Sequence, residues 1–198
     1  MKTAKFAIAL FGLMFLFTDC GDQEPTALAA KAEKDHAVAE EDLAKRGEYL
    51  VTIMGCHDCH SPKRMGPQGP EVIPERMLSG YPGDQPFPKV NASALGEGWA
   101  MFAPDLTAAV GPWGVSFAAN ITSDGTGIGN WSLDQFRKAL TEGKSKGMDA
   151  NRPLLPPMPW FNYTNIEDQD LEAIFAYLKR TNPVRNVVPQ HIPPDQLQ

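Results

Sequence analysis

The 198-residue sequence predicts an all-α protein built as one domain. Three observations predict it. Three segments carry apolar residues at helical spacing, two of them have helix start and stop signals, and proline interrupts the stretch between the first and second. Proline removes the amide donors that central strands need and fixes φ, so that stretch reads as irregular.

In chain order, residues 1–19 read as an export signal. Lys2 and Lys5 form its basic start, and Phe6 to Phe17 is apolar apart from Gly12. Helix of that length covers about 18 Å against roughly 30 Å of hydrocarbon, so the segment is too short for a stable span. Cys20 follows directly and is the expected site of lipidation, which would tether the protein to a membrane. Phe17, Thr18 and Asp19 depart from the leucine-small-small pattern usual before a lipidated cysteine. The competing expectation is ordinary cleavage after Ala29, in the small-residue sequence Ala27-Leu28-Ala29, which would release a soluble form.

Residues 20–39 are small, polar and charged with no sustained apolar stripe, and are expected to form a flexible tether in which His36 is solvated. The folded domain is expected over residues 40–189. Its first helix begins at Glu40, with Leu43, Gly47, Leu50, Val51 and Met54 along one face. Glu40, Glu41 and Asp42 suit the positive end of the helix dipole. Residues 61–120 hold nine prolines, from Pro62 to Pro112, and are expected to form a long irregular insertion with one short helix at most.

The second helix starts at Ser132, which pairs with Gln135 as a capping box; Leu133, Phe136 and Leu140 are its apolar face and Gly143 ends it. A third follows, with Thr164 and Glu167 as another expected capping box. Its face is Leu171, Ile174, Phe175 and Leu178, with Lys179 and Arg180 at the negative end and Asn182-Pro183 as the stop. Residues 190–198 form a proline-rich tail with His191 solvated. The formal charge of −6, with no cluster of Lys and Arg, argues against nucleic acid as a partner.

Chemistry concentrates in Cys56-His57-Asp58-Cys59-His60, a C-x-x-C-H sequence of the kind that attaches haem. Two residues between the cysteines bring both sulfurs to one edge of a macrocycle as thioethers, and the following His60 reaches the iron. His57 is expected to face solvent. A thioredoxin-type pair would need a strand before the motif, where a helix is predicted. A structural zinc site would need further ligands, and beyond this cluster and Cys20 the sequence offers only His36 and His191. A haem would also supply the surface on which the irregular insertion packs.

At these residues the chain resembles class I c-type cytochromes, and in particular the haem modules of cytochrome subunits of bacterial periplasmic dehydrogenases. The resemblance runs from about Asp42 to Pro189, through RGEYL at 46–50, the C-x-x-C-H, NITSDGTGIGNWS at 120–132, LPPMPW at 155–160 and DLEAIFAYLKRTNPV at 170–184. It implies a class I fold whose first helix crosses its last, with Gly47 allowing close approach against Phe175 and Leu178. The long segment between motif and distal ligand departs from the family.

The resemblance also implies a methionine as distal ligand, which falls on Met158. Pro156, Pro157 and Pro159 agree, since they restrict the backbone around a sulfur that must stay on the iron. Met148 is the substitute, and Met65, Met77 and Met101 are weaker candidates. Asn120 and Trp131 fall in a stretch that lies near the haem in the family. The expectation is therefore an exported electron carrier with one haem c per chain, ligated by His60 and Met158, passing single electrons between donor and acceptor proteins of the cell envelope. Two alternatives stay open: a haem peroxidase or gas sensor whose methionine leaves the iron, and a non-catalytic subunit of a dehydrogenase complex.

Overall fold

The computed structural model describes residues 27–197. The expected export segment and Cys20 lie outside the described residues. The first helix, α1, is Ala27–Ile53, longer at its start than the pattern from Glu40 suggests. Between Ala29 and Asp42 every described side chain is exposed, whereas Ala44, Gly47, Leu50 and Val51 are buried. The expected apolar stripe is therefore where packing begins, not where the helix begins.

The short α2, Cys56–His60, carries the C-x-x-C-H. After it the chain forms five short strands between Lys63 and Phe117 amid turns and loops, and the all-α expectation is overturned. A hairpin of β1, Lys63–Gly66, and β2, Gly69–Val72, is followed by α3, Ala92–Gly96. Then β3, Met101–Phe102, β4, Ala108–Gly111, and β5, Gly114–Phe117, form an antiparallel sheet in the order β3-β4-β5. Glycine and proline misled the sequence reading because here they make turns between strands. Gly66-Pro67-Gln68-Gly69 and Gly111-Pro112-Trp113-Gly114 are two copies of one G-P-x-G pattern, each joining paired strands. Proline at the second position of a turn has the φ the turn requires. Pro70, inside β2, lies in a two-stranded sheet where every strand is an edge.

The remaining helices are α4, Leu133–Thr141, and α5, Asp168–Leu178. The capping box of α4 forms, with Ser132 and Gln135 exchanging both hydrogen bonds at 3.2 Å. That of α5 does not: the cap is Glu167 with no side-chain bond, and the Thr164 hydroxyl donates to the Phe161 carbonyl instead. Asp168 and Asp170 in the first turn suit the dipole without it.

Helices α1 and α5 cross at Gly47, which meets Ala173 and Tyr177 rather than Phe175 and Leu178. Beside the crossing, Arg46 donates two bonds to the Asp170 carboxylate, at 2.9 and 3.1 Å. Val51, Leu171, Ile174 and Leu178 from these helices join Ile128, Phe136 and Leu140 in one core.

The tail is not free. Val115 and Ile192 exchange backbone hydrogen bonds of 2.8 and 3.2 Å, and His191 donates through Nε2 to the Trp113 carbonyl at 2.7 Å. His191 is thus partly buried against the second sheet, contrary to the expected solvation. His36 is exposed, with Glu40 one turn on at 3.6 Å.

Candidate cofactor site

A cavity of about 420 Å³ opens between α2, the core helices, the second sheet and the loop before α5. That lies in the range of roughly 300 to 1,000 Å³ typical of cofactor pockets. Cys56, Cys59 and His60 form one side of it, and Met158 lines it from the loop. Phe136, Leu140, Ile174 and Leu178 make its floor, so the faces of α4 and α5 predicted as core also serve as cavity wall.

His60 is oriented by a single contact, its Nδ1 lying 2.7 Å from the Ala119 carbonyl oxygen. A carbonyl only accepts, so Nδ1 carries the proton and the Nε2 lone pair is left free. Nε2 makes no hydrogen bond among the described residues. Burial pushes the imidazole pKa below its usual value, outweighing the Ala119 bond, which favours the neutral ring that coordinates a metal.

The Ala119 carbonyl is itself held from both sides. Ala118 donates to Thr107 at 2.8 Å and accepts from the Tyr81 amide at 3.0 Å. On the other side the Asn120 side chain donates to the Val184 carbonyl at 2.8 Å and accepts from the Thr122 amide and hydroxyl. Asn120 lines the cavity, and its amide is occupied with protein partners. Trp131 also lines the cavity, and its indole N–H makes no hydrogen bond among the described residues.

Neither Cys56 nor Cys59 is in a disulfide, and both are partly buried. Burial pushes the Cys56 thiol up to about 11 and the Cys59 thiol upward as well. A redox-active pair needs the opposite shift toward thiolate, so the electrostatics disfavour the thioredoxin reading. His57 is half-buried rather than solvent-facing. Lys63 closes α2 by donating to the carbonyls of Asp58, at 2.5 Å, and Ser61, at 3.1 Å, and ties it to the insertion through Asp105 at 2.9 Å. A cation there complements the negative end of the helix.

Met158 and Met148 separate clearly. Met158 is half-buried in the cavity wall, whereas Met148 is 50% exposed, does not line the cavity and follows a short turn at the C-terminal side of α4. Met65 and Met77 are also exposed, and Met101 lies in β3 beside a different, smaller cavity.

Two cationic cavity residues escaped the sequence reading, Arg152 and Lys146. Arg152 pairs with no carboxylate among the described residues, unlike Arg46, Arg76, Arg137 and Arg180. One guanidinium nitrogen donates to the Pro153 carbonyl at 2.8 Å, and burial lowers its pKa. A lone arginine before a proline run has no sequence signal of its own; only the loop's return over the cavity gives it meaning. The residues fit a covalently held haem: paired thiols, an imidazole with its free nitrogen set by a carbonyl, a thioether, apolar walls and unpaired cationic donors.

The family model for cytochrome c matches residues 44–182 of this chain. Among curated proteins, the chain is 35% identical over 140 residues to the gluconate 2-dehydrogenase cytochrome c subunit of Pantoea cypripedii, covering 70% of this chain and 23% of that one. It is 28% identical over 152 residues to the fructose dehydrogenase cytochrome subunit of Gluconobacter japonicus, covering 76% and 24%. With the cytochrome c subunit of the quinone-dependent alcohol dehydrogenase of Gluconobacter oxydans it shares 28% identity over 158 residues, covering 79% and 25%. The chain thus spans a quarter or less of the length of these relatives.

Proposed function

The chain belongs to the cytochrome c family and carries haem c as an electron-transfer protein; from that premise we propose that Cys56 and Cys59 hold the haem by thioether bonds and that His60 and Met158 are its axial ligands. The observation that carries this reading is the His60–Ala119 hydrogen bond, which fixes the tautomer and leaves Nε2 available. When bound, the haem iron supplies one-electron chemistry between the ferrous and ferric states.

The protein's own groups do the rest. His60 keeps its proton on Nδ1. Apolar side chains of α4 and α5 limit water in the cavity and so the dielectric around a change of charge. Arg152, with the Trp131 indole N–H, would supply donors for the carboxylates of the haem. Ligation by both His60 and Met158 would leave no open site on the iron, which favours electron transfer over the peroxidase or gas-sensor alternative.

The chain is proposed to act in the cell envelope, exported by residues 1–19 and tethered through Cys20, or released by cleavage after Ala29. Among the described residues no helix is long and apolar enough to cross a membrane. Its donor and acceptor are proposed to be redox proteins, and the names of the relatives support a dehydrogenase partner. Co-purification of a catalytic subunit with the tagged chain would separate a complex subunit from a free carrier.

Acid-acetone extraction of the purified protein tests the attachment. The haem is expected to stay on the polypeptide, and Cys56→Ala with Cys59→Ala should release it. Haem released by the wild type would refute the proposal.

A further inference from the structure

We infer that Ser116, in the β4–β5 hairpin of the insertion, is a positioning residue for the loop that carries Met158. The inference rests on the proposed ligation by Met158. Ser116 lies forty residues before Pro156, on an element that the sequence pattern alone reads as irregular. Its hydroxyl donates to the Pro156 carbonyl at 2.5 Å and accepts from the Trp113 indole N–H at 3.2 Å.

A hydroxyl has one proton to give, and two carbonyls compete for it. Pro156 is at 2.5 Å and Ala109 at 3.4 Å, so the shorter contact takes it. Trp113 occupies a lone pair and orients the hydroxyl toward the loop. The relay is anchored behind Trp113, whose carbonyl accepts from His191 of the docked tail. The hairpin that bears Ser116 is tied to the tail by the Val115–Ile192 pair.

The loop has few other ties near the sulfur. Met158 donates its amide to Leu155 within the same loop, at 3.2 Å. Prolines at 156, 157 and 159 have no amide to give, so their carbonyls are the handles by which another element can grip them. Ser116 grips one, two residues before Met158. The insertion thereby sets how readily the thioether leaves its ligand position.

The test uses the haem-loaded protein, with exogenous imidazole as a competitor for the Met158 position. Ser116→Ala should bind imidazole roughly five- to tenfold more tightly than wild type, about the effect of one hydrogen bond on a ligand-on/ligand-off equilibrium. Its far-red sulfur-to-iron band should weaken. Ser116→Thr, which keeps the hydroxyl, should return both to wild-type values. Wild-type imidazole affinity and an undiminished band in Ser116→Ala overturn the inference, even if its melting temperature falls, because a merely structural role would move only the latter. A wild-type spectrum without the band, or one unchanged in Met158→Ala, overturns the ligation reading and this inference with it.

Discussion

A Cβ placed on Gly47 would stand 1.9 Å from the carbonyl oxygen of Ala173, in the helix that crosses it. The obstacle is backbone, and Arg46 and Asp170 hold the two helices together beside it. Gly47→Ala must therefore push α1 and α5 apart. Overpacking costs about 1 to 3 kcal/mol, and alanine's better helix propensity returns roughly 1 kcal/mol at most. We expect net destabilisation in urea unfolding of the haem-loaded protein, larger for Gly47→Val. An alanine variant as stable as wild type would contradict the close crossing.

Met158→Ala should abolish the far-red charge-transfer band of the ferric protein and lower its reduction potential, since the thioether raises it. Met148→Ala should change neither, because Met148 lies away from the cavity. The reverse pattern in a redox titration followed by visible spectroscopy would reassign the ligand.

Arg152 is the unpaired guanidinium at the cavity. Removing a positive charge there favours the ferric form, which carries one more positive charge than the ferrous form. Arg152→Gln should therefore lower the reduction potential, more at low ionic strength than at high. A potential that is unchanged or raised would place the guanidinium away from the iron's field.

Asp124 accepts from the Thr126 hydroxyl and amide at 2.6 and 2.7 Å, and these bonds hold its carboxyl below the usual carboxylate range. A carboxyl depressed in the folded state stabilises the fold above its unfolded value, roughly 3.9, and loses that contribution as pH falls through the folded one. Asp124→Asn keeps the acceptor and removes the titration. The stability gap between wild type and variant should therefore shrink as unfolding is measured from pH 7 down to pH 2. A gap that stays constant would show that Asp124 does not titrate with folding.

Mass spectrometry of the mature protein tests the N-terminal proposal. A diacylglyceryl mass on Cys20 is expected; an unmodified N-terminus at Ala30 would make the protein soluble.

The candidate haem-attachment residues were legible because their motif is local. Cys56, Cys59 and His60 occupy one short stretch, and Ser132 finds Gln135 within a single turn of helix. The apolar stripes of α1, α4 and α5 were legible for the same reason, since helical periodicity is written in neighbouring residues. Gly47 was legible as a contact, and its partners Ala173 and Tyr177 were not, because the crossing angle and register of two helices belong to their packing. The β hairpins were missed because a proline reads as a breaker until its strand partner is known. Pairing Gly111 with Gly114 turns Pro112 into a turn residue. Tertiary structure alone brought Ala119 to His60 across fifty-nine residues and Ser116 to Pro156 across forty. By itself the sequence determined which groups could hold the cofactor. Which carbonyl fixes the imidazole, and which hydroxyl grips the methionine loop, depended on hydrogen bonds between segments that only the folded chain brings together.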